Sequence, residues 1–248
     1  MYDVAEKVAV ITGGTRGIGL ALAEHLLQQK SRVVINGRST TDEARALQET
    51  HGADNVVIVE ADVSVPAEAA RLVAETEARF GRLDMLVHSA GGPAGGKVPG
   101  METESWMQAF AIHVHPVFHL FQAAHPLLAK EGGAVLLVSS VAGIRGCPGT
   151  VAYQTVKGAL IPMAKALAMD HGVEGIRVNV IAPGIIRTRF HDAMTKEAQA
   201  HNLQNRIPLR REGSVDDVAE AMMTLLQNEF ITGETLVVDG GMSMRVTG

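Results

Sequence analysis

Val8-Ala9-Val10-Ile11-Thr12-Gly13-Gly14-Thr15-Arg16-Gly17-Ile18-Gly19-Leu20-Ala21-Leu22-Ala23-Glu24-His25-Leu26-Leu27 is the stretch whose reading decides the fold. Its opening, Val8 to Ile11, reads as a buried strand, and Leu20 to Leu27 carries apolar residues at the i, i+3, i+4 spacing of an amphipathic helix. Glycines occupy the turn between the two. Such a turn needs positive φ and backbone without Cβ, and it leaves the first helical N–H groups pointing outward without partners. With the positive end of the helix dipole, these groups form a site for a phosphate or pyrophosphate. Gly13, Thr15, Arg16, Gly17, Ile18 and Gly19 are therefore expected to surround a bound nucleotide.

Working outward, strand-like runs alternate with helical patterns almost to the end of the chain. They are Arg32 to Asn36, Asn55 to Glu60, Leu83 to Val87, Ala134 to Val138, Ile176 to Ile181 and Thr235 to Val238. Continuous β-branched and Leu runs, rather than alternation, indicate strands covered on both faces. Seven strands with intervening helices predict an α/β, Rossmann-like, doubly wound, seven-stranded parallel sheet in three layers. At 248 residues and 46% apolar content, with no linker or repeat, the chain is expected to form one domain. The net charge of −5 gives no basic footprint for nucleic acid or an anionic membrane. The apolar runs are too short to span a bilayer, and the first residues lack the pattern of a signal peptide. Cys147, the single cysteine, has no internal disulfide partner. A soluble, cytoplasmic protein is the expectation.

The end of the second strand, Asn36-Gly37-Arg38-Ser39, bears on the cofactor. NAD sites usually carry Asp or Glu about 20 residues past the glycine loop, to accept from the ribose 2′-hydroxyl, whereas NADP sites use cations and hydroxyls for the 2′-phosphate. Gly37 stands where the acid would be. Arg38 and Ser39 follow, and Arg16 approaches from the loop, which predicts NADP(H). Thr40 and Glu43 read as a capping box for the next helix. Ligands in such sheets lie at the carboxyl ends of strands, so Asp62-Val63 and Ser89-Ala90-Gly91 should border the cofactor. The Asp62 carboxylate either accepts from the adenine amino group or caps the helix before Pro66. Gly91 to Gly96 reads as a loop bordering a substrate cleft.

Glu104 to Lys130 reads as one long helical stretch, bent beside His113 because Pro116 cannot donate to the Ile112 carbonyl. His115 and His119 have an i, i+4 metal spacing but no third ligand, so no metal site is expected. The chemistry is expected at Ser140, Tyr153 and Lys157. Tyr153-x-x-x-Lys157 puts a phenol and an ammonium on one helix face, and the cation should lower the phenol's usual pKa of about 10. Ser140, thirteen residues before Tyr153, ends a strand and can donate to a carbonyl or alkoxide oxygen.

Thr12-Gly13-x-x-x-Gly17-x-Gly19, Ser140, Tyr153-x-x-x-Lys157, Arg177-Val178-Asn179, Pro183-Gly184-Ile185-Ile186-Arg187-Thr188 and Val238-Asp239-Gly240-Gly241 together resemble the short-chain dehydrogenase/reductase family over essentially the whole chain. The resemblance implies that Tyr153 gives or takes a proton while hydride moves between nicotinamide and a carbonyl carbon. Ser140 would orient the oxygen, and Lys157 would bind the nicotinamide ribose and tune Tyr153. Pro183, Gly184, Ile186 and Thr188 would face the nicotinamide. It also implies a homotetramer. Two departures stand out. His88-Ser89 replaces the amides of the family's Asn-Asn-Ala-Gly, and His113 stands where the family has a catalytic Asn, either taking over its proton relay or filling space. Residues from about 187 to 213 are expected to form a lid, with His191, Met194 and Cys147 as lining residues. The expected substrate is a small carbonyl compound or alcohol. The alternatives are a 3-oxoacyl-thioester reductase, or a catalytically impaired NADP(H)-binding sensor or scaffold.

Overall fold

The computed structural model describes residues 2–188 and 194–244. The chain runs β1 (Val8–Thr12), α1 (Gly17–Gln28), β2 (Arg32–Gly37), α2 (Asp42–His51), β3 (Val56–Glu60), α3 (Pro66–Phe80), β4 (Met85–His88), α4 (Thr103–His113), α5 (His115–Leu128), β5 (Ala134–Val138), α6 (Val151–His171), β6 (Arg177–Pro183), α7 (Lys196–His201), α8 (Val215–Gln227) and β7 (Thr235–Val238). The strands form one sheet in the order β3-β2-β1-β4-β5-β6-β7, every pair parallel.

Alternate residues of each strand feed two separate cores. Ala9, Ile11, Val33, Ile35 and Leu136 pack beneath Leu22 and Leu26 of α1 and Met222 and Leu226 of α8. Val10, Val34, Val135, Leu137 and Val180 pack on the other face, beneath Leu72 of α3, Leu120 of α5 and Leu160 of α6. Each fully buried Val, Leu, Ile or Met side chain among them contributes about 1.5–3 kcal/mol. This two-sided burial is what the unbroken apolar runs encode, and it produces three layers.

Buried polar side chains link strands that sequence periodicity cannot relate. Asp84, just before β4, accepts from the Val8 N–H at 2.9 Å and pairs with Arg82 at 2.7 Å. Asn36 donates to the Val59 and Ala61 carbonyls at 3.0 and 3.1 Å, joining the carboxyl ends of β2 and β3. Asn179 on β6 donates to Ile231 O at 2.8 Å and accepts from Glu234 N at 3.0 Å, which holds the approach to β7.

Two local expectations are corrected. The stretch from Glu104 to Lys130 is two helices, not one bent helix. The break falls at Val114, whose N–H still bonds Phe110 O, and the Pro116 ring belongs to the first turn of α5. The cap of α2 is Thr41, whose hydroxyl accepts from Ala44 N at 3.1 Å. Thr40 instead donates to Glu60 at 2.7 Å, so Thr40 and Glu43 form no capping box.

The winding direction reverses between β1 and β4, and this opens a crevice at the carboxyl ends of those two strands. No helix among the described residues is long and apolar enough to cross a membrane.

Candidate active site

The β1–α1 turn lies in that crevice. Gly13 and Gly17 have φ of 63° and 58°, the left-handed region that favours glycine. Their surroundings differ. A Cβ on Gly13 would sit 2.8 Å from the Ala90 backbone after β4, whereas one on Gly17 would meet, among the described residues, only Thr188 Cγ2, at 3.6 Å. Gly13 is thus a packing glycine, and Gly17 faces open space. Arg16 precedes α1 without any side-chain cap, and the first turn holds no acidic residue, so its N–H groups stay available to an anion.

A Cβ on Gly37 would lie 2.6 Å from Thr15 Oγ1, which closes that position to a carboxylate. Arg16, Arg38 and Ser39 are exposed around it, and neither arginine forms an ion pair among the described residues. Asp62 follows β3, but it does not cap α3, whose N-cap is Val65. Its Oδ1 accepts from the Ser64 N–H at 3.0 Å and hydroxyl at 2.6 Å, closing a local turn. The Ser64 hydroxyl holds the Asp62 carboxyl below its usual pKa, with Arg38 as a lesser contributor. Val63 beside it is buried in the core.

On the other side of the crevice, Ser140 follows β5 and Tyr153 and Lys157 lie in the first two turns of α6. The Ser140 hydroxyl opposes the rise in the Tyr153 pKa and accepts from Ala142 N at 3.2 Å. Ser139 donates to Lys157 O at 2.7 Å, fixing the end of β5 to α6. Two glycines set this spacing. A Cβ on Gly143 would be 2.8 Å from both Gly158 N and the Lys157 carbonyl carbon, so the turn after Ser140 lies backbone to backbone on α6.

The expected tuning of Tyr153 by Lys157 is not what this arrangement gives. Lys157 Nζ donates to Val138 O at 2.7 Å and lies 5.9 Å from the phenol ring centroid. Burial therefore raises the Tyr153 pKa, opposed by the Ser140 hydroxyl. Burial also lowers Lys157 to about 8.

Two histidines complete the site. His88 Nδ1 bonds Thr12 Oγ1 at 2.9 Å, and that hydroxyl also accepts from Ala90 N at 3.2 Å. His88 thus remakes the stitch between β1 and β4. Ser89 joins it through its backbone N–H, 3.2 Å from Thr12 O. His113 packs edge-on to Tyr153, with ring centroids 5.8 Å apart at 88°. Its Nε2 lies 3.1 Å from Gly92 O, while Nδ1 is buried without a partner among the described residues. A Cβ on Gly91 would fall 3.0 Å from that Nδ1 and 3.5 Å from Lys157 Nζ, so the two nitrogens converge on the space the glycine leaves. Burial, then the Lys157 charge, lowers both histidines to about 3, and both are neutral near pH 7.

A cavity of about 470 Å³ opens beside them, lined by Pro93, Ala94, Met101, Gln108, His113 and Ala152 among others. Neither Met194 nor Cys147 lines it. Met194 packs with Val141, Ile185, Ile207 and Met242, and Cys147 is held to α6 by Gln154, its N–H 2.9 Å from Oε1. His191 lies outside the described residues. Gly184 is pressed against Asp239 after β7, and its N–H bonds Val238 O at 2.9 Å. Pro183 and Ile186 are buried, and the half-buried Thr188 is, among the described residues, the side chain nearest the open side of Gly17.

Residues 13–243 match the family model described as enoyl-(acyl carrier protein) reductase. Dehydrogenase/reductase SDR family member 4 of Caenorhabditis elegans is 34% identical, over 97% of this chain and 96% of its own. The 3-oxoacyl-[acyl-carrier-protein] reductase FabG of Escherichia coli is also 34% identical, over 96% and 98%. A blue fluorescent protein from a metagenomic library, solved with NADPH, superposes with a TM-score of 0.90 at 29% identity, covering 97% of this chain and 99% of that one. A short-chain type dehydrogenase/reductase from Mycobacterium ulcerans gives 0.91 at 30%, covering 99% and 92%.

Proposed function

The chain belongs to the short-chain dehydrogenase/reductase family, and from that premise we propose that it is an NADP(H)-dependent oxidoreductase interconverting a ketone and a secondary alcohol. The observation that carries this reading is the gathering of Ser140, Tyr153 and Lys157 at the carboxyl edge of the sheet, with His113 packed between Tyr153 and a cavity of about 470 Å³.

The residues fit a nicotinamide dinucleotide. The uncapped start of α1 and the open side of Gly17 suit a pyrophosphate. Gly37, closed to a carboxylate, with Arg16, Arg38 and Ser39 around it, suits a 2′-phosphate rather than a free 2′-hydroxyl. Asp62 and Val63 would border the adenine, and the backbone from Ser89 to Gly91 would line the middle of the cofactor. Pro183, Gly184, Ile186 and Thr188 would border its nicotinamide end. The bound nicotinamide supplies or accepts the hydride.

Tyr153 gives its proton to the substrate oxygen during reduction and takes it back during oxidation. Ser140 donates a hydrogen bond to the same oxygen as charge develops on it. Lys157, resting on Val138 O, would hold the nicotinamide ribose, and its ammonium, brought to the phenol, would favour the tyrosinate form. His113, with Nε2 on Gly92 O, offers Nδ1 as an acceptor facing Lys157 and so positions that ammonium beside the phenol. A 3-oxoacyl thioester is the second substrate reading, favoured by the Escherichia coli relative.

Initial rates of NADPH and NADH oxidation with small ketones, diketones, ketoacids, sugars and a 3-oxoacyl coenzyme A thioester test this. Turnover of a free ketone with a preference for NADPH is expected. Turnover of the thioester alone would select the second reading, and tight NADPH binding without turnover would make the protein a sensor.

A further inference from the structure

At the far end of α6 from Tyr153, three side chains with metal-ligating atoms meet. His125 comes from the last turn of α5, His171 closes α6, and Glu174 ends the short 3-10 turn Gly172–Glu174. Glu174 Oε2 lies 2.9 Å from His125 Nε2 and 2.7 Å from His171 Nδ1. The imidazole centroids are 4.9 Å apart, and Phe121 forms an apolar wall, its ring 4.9 Å from His171 and 5.9 Å from His125. All three ligating atoms fall within 4.8 Å of one another.

We propose that His125 Nε2, His171 Nδ1 and the Glu174 carboxylate form a site for a divalent transition-metal ion of the zinc type, with water as the fourth ligand. Two imidazoles and one carboxylate suit zinc, cobalt or nickel better than magnesium or calcium, which prefer all-oxygen sites. Tetrahedral zinc with bonds of about 2.0–2.1 Å separates its ligand atoms by about 3.3 Å. The two contacts to Glu174 would open by about half an ångström, and the histidines, fixed on helix ends, would keep their backbone positions. Side-chain exposures of 32%, 24% and 35% for His125, His171 and Glu174 leave the outer position to water. Glu174 also borders a groove of about 500 Å³ that holds Glu131 and Glu229 as well as Lys130 and Arg177, giving an ion a route from solvent.

The sequence alone directs attention elsewhere, to His115 and His119. His115 is exposed, and the His119 ring packs against Phe118 at 5.3 Å. The three residues that meet are separated in sequence by 46 and 3 positions, so no local spacing announces them.

His171 lies 18 residues beyond Tyr153 on the same helix, about 27 Å along its axis. The ion is therefore a clasp between the ends of α5 and α6 and stands outside the hydride chemistry. Chelator-treated full-length protein should bind one Co²⁺ per chain with the visible absorption of a low-coordinate imidazole–carboxylate site, and Zn²⁺ should displace it. At a hundredfold excess over its dissociation constant, Zn²⁺ should raise the melting temperature by roughly 5–10 °C. His125→Ala and His171→Ala, with unchanged far-ultraviolet dichroism, should each weaken binding by roughly 100-fold. A His115→Ala/His119→Ala control should bind as the parent does. Absence of binding up to about 1 mM, equal affinity in the His125 and His171 variants, or loss of binding only in the control would each overturn the site. The cobalt spectrum of the unmodified chain decides the matter even if a variant fails to fold.

Discussion

Acidification from pH 7 to pH 5 tests the two buried histidines beside Lys157. His88 and His113 each have a folded-state pKa near 3, against 6.5 when unfolded, because burial disfavours the imidazolium and the Lys157 charge adds to the effect. A depressed folded pKa means that the unfolded chain binds more protons between about pH 6.5 and pH 3. Stability is therefore full above pH 6.5 and falls as pH drops through that window. One pKa unit corresponds to about 1.4 kcal/mol, so at pH 5 each histidine costs about 2 kcal/mol and the pair about 4 kcal/mol. That is a large part of an ordinary folding free energy of about 5–15 kcal/mol. Urea denaturation at a series of pH values, on the parent, His88→Asn, His113→Asn and the double variant, measures it. The parent should lose about 4 kcal/mol more than the double variant between pH 7 and pH 5, with each single variant recovering roughly half. A double variant that loses stability in parallel with the parent would refute the reasoning, since neither histidine would then be held neutral.

Four further outcomes are expected. Tyr153→Phe should lower turnover by roughly 10²–10⁴-fold and leave NADPH affinity within a few-fold, as read by steady-state rates and fluorescence titration. Gly17→Ala should cost only about 1–2 kcal/mol, from its left-handed backbone, yet weaken NADPH binding by more than about tenfold. Gly13→Ala, which drives a Cβ into the Ala90 backbone, should cost about 3 kcal/mol or more in urea denaturation. Arg38→Asp should reduce the ratio of NADPH to NADH efficiency by at least about tenfold; an unchanged ratio would remove Arg38 from cofactor selection.

The sheet was legible because its strands are buried on both faces, so Val8 to Ile11 and Ala134 to Val138 stand out as unbroken apolar runs. The candidate catalytic residues were legible for a different reason: Tyr153 and Lys157 are one helical turn apart, and a spacing within one helix survives as a spacing in sequence. What escaped are features set by contacts across the fold. The periodicity of α4 continues into α5, so the break at Val114 left only Pro116 as a sign. Two threonines in a row hid which one caps α2. The rest of Lys157 on Val138 O, 2.7 Å away, depends on how deeply α6 sits on β5. Asp84, Asn36 and Asn179 hold strands together from positions where nothing local distinguishes a buried amide or acid from a surface one. His88 lay in a familiar motif with an unfamiliar side chain, and only its distance to Thr12 explains how the motif tolerates it.

The close approach of Gly143 to Gly158 constrains how this protein can change over generations. With no side chain on either surface, the gap between the Ser140 hydroxyl and the Tyr153 phenol cannot be widened or narrowed by small steps, because the first methyl group added to Gly143 already collides with main chain. That wall is closed to gradual adaptation. On the proposed function, selection for a bulkier or smaller substrate would act across the cavity, at Met101, Gln108 and Ile112, where side chains of graded size can be exchanged without moving Ser140 and Tyr153. A library confined to those three positions should yield altered preferences far more often than one aimed at the Gly143 turn.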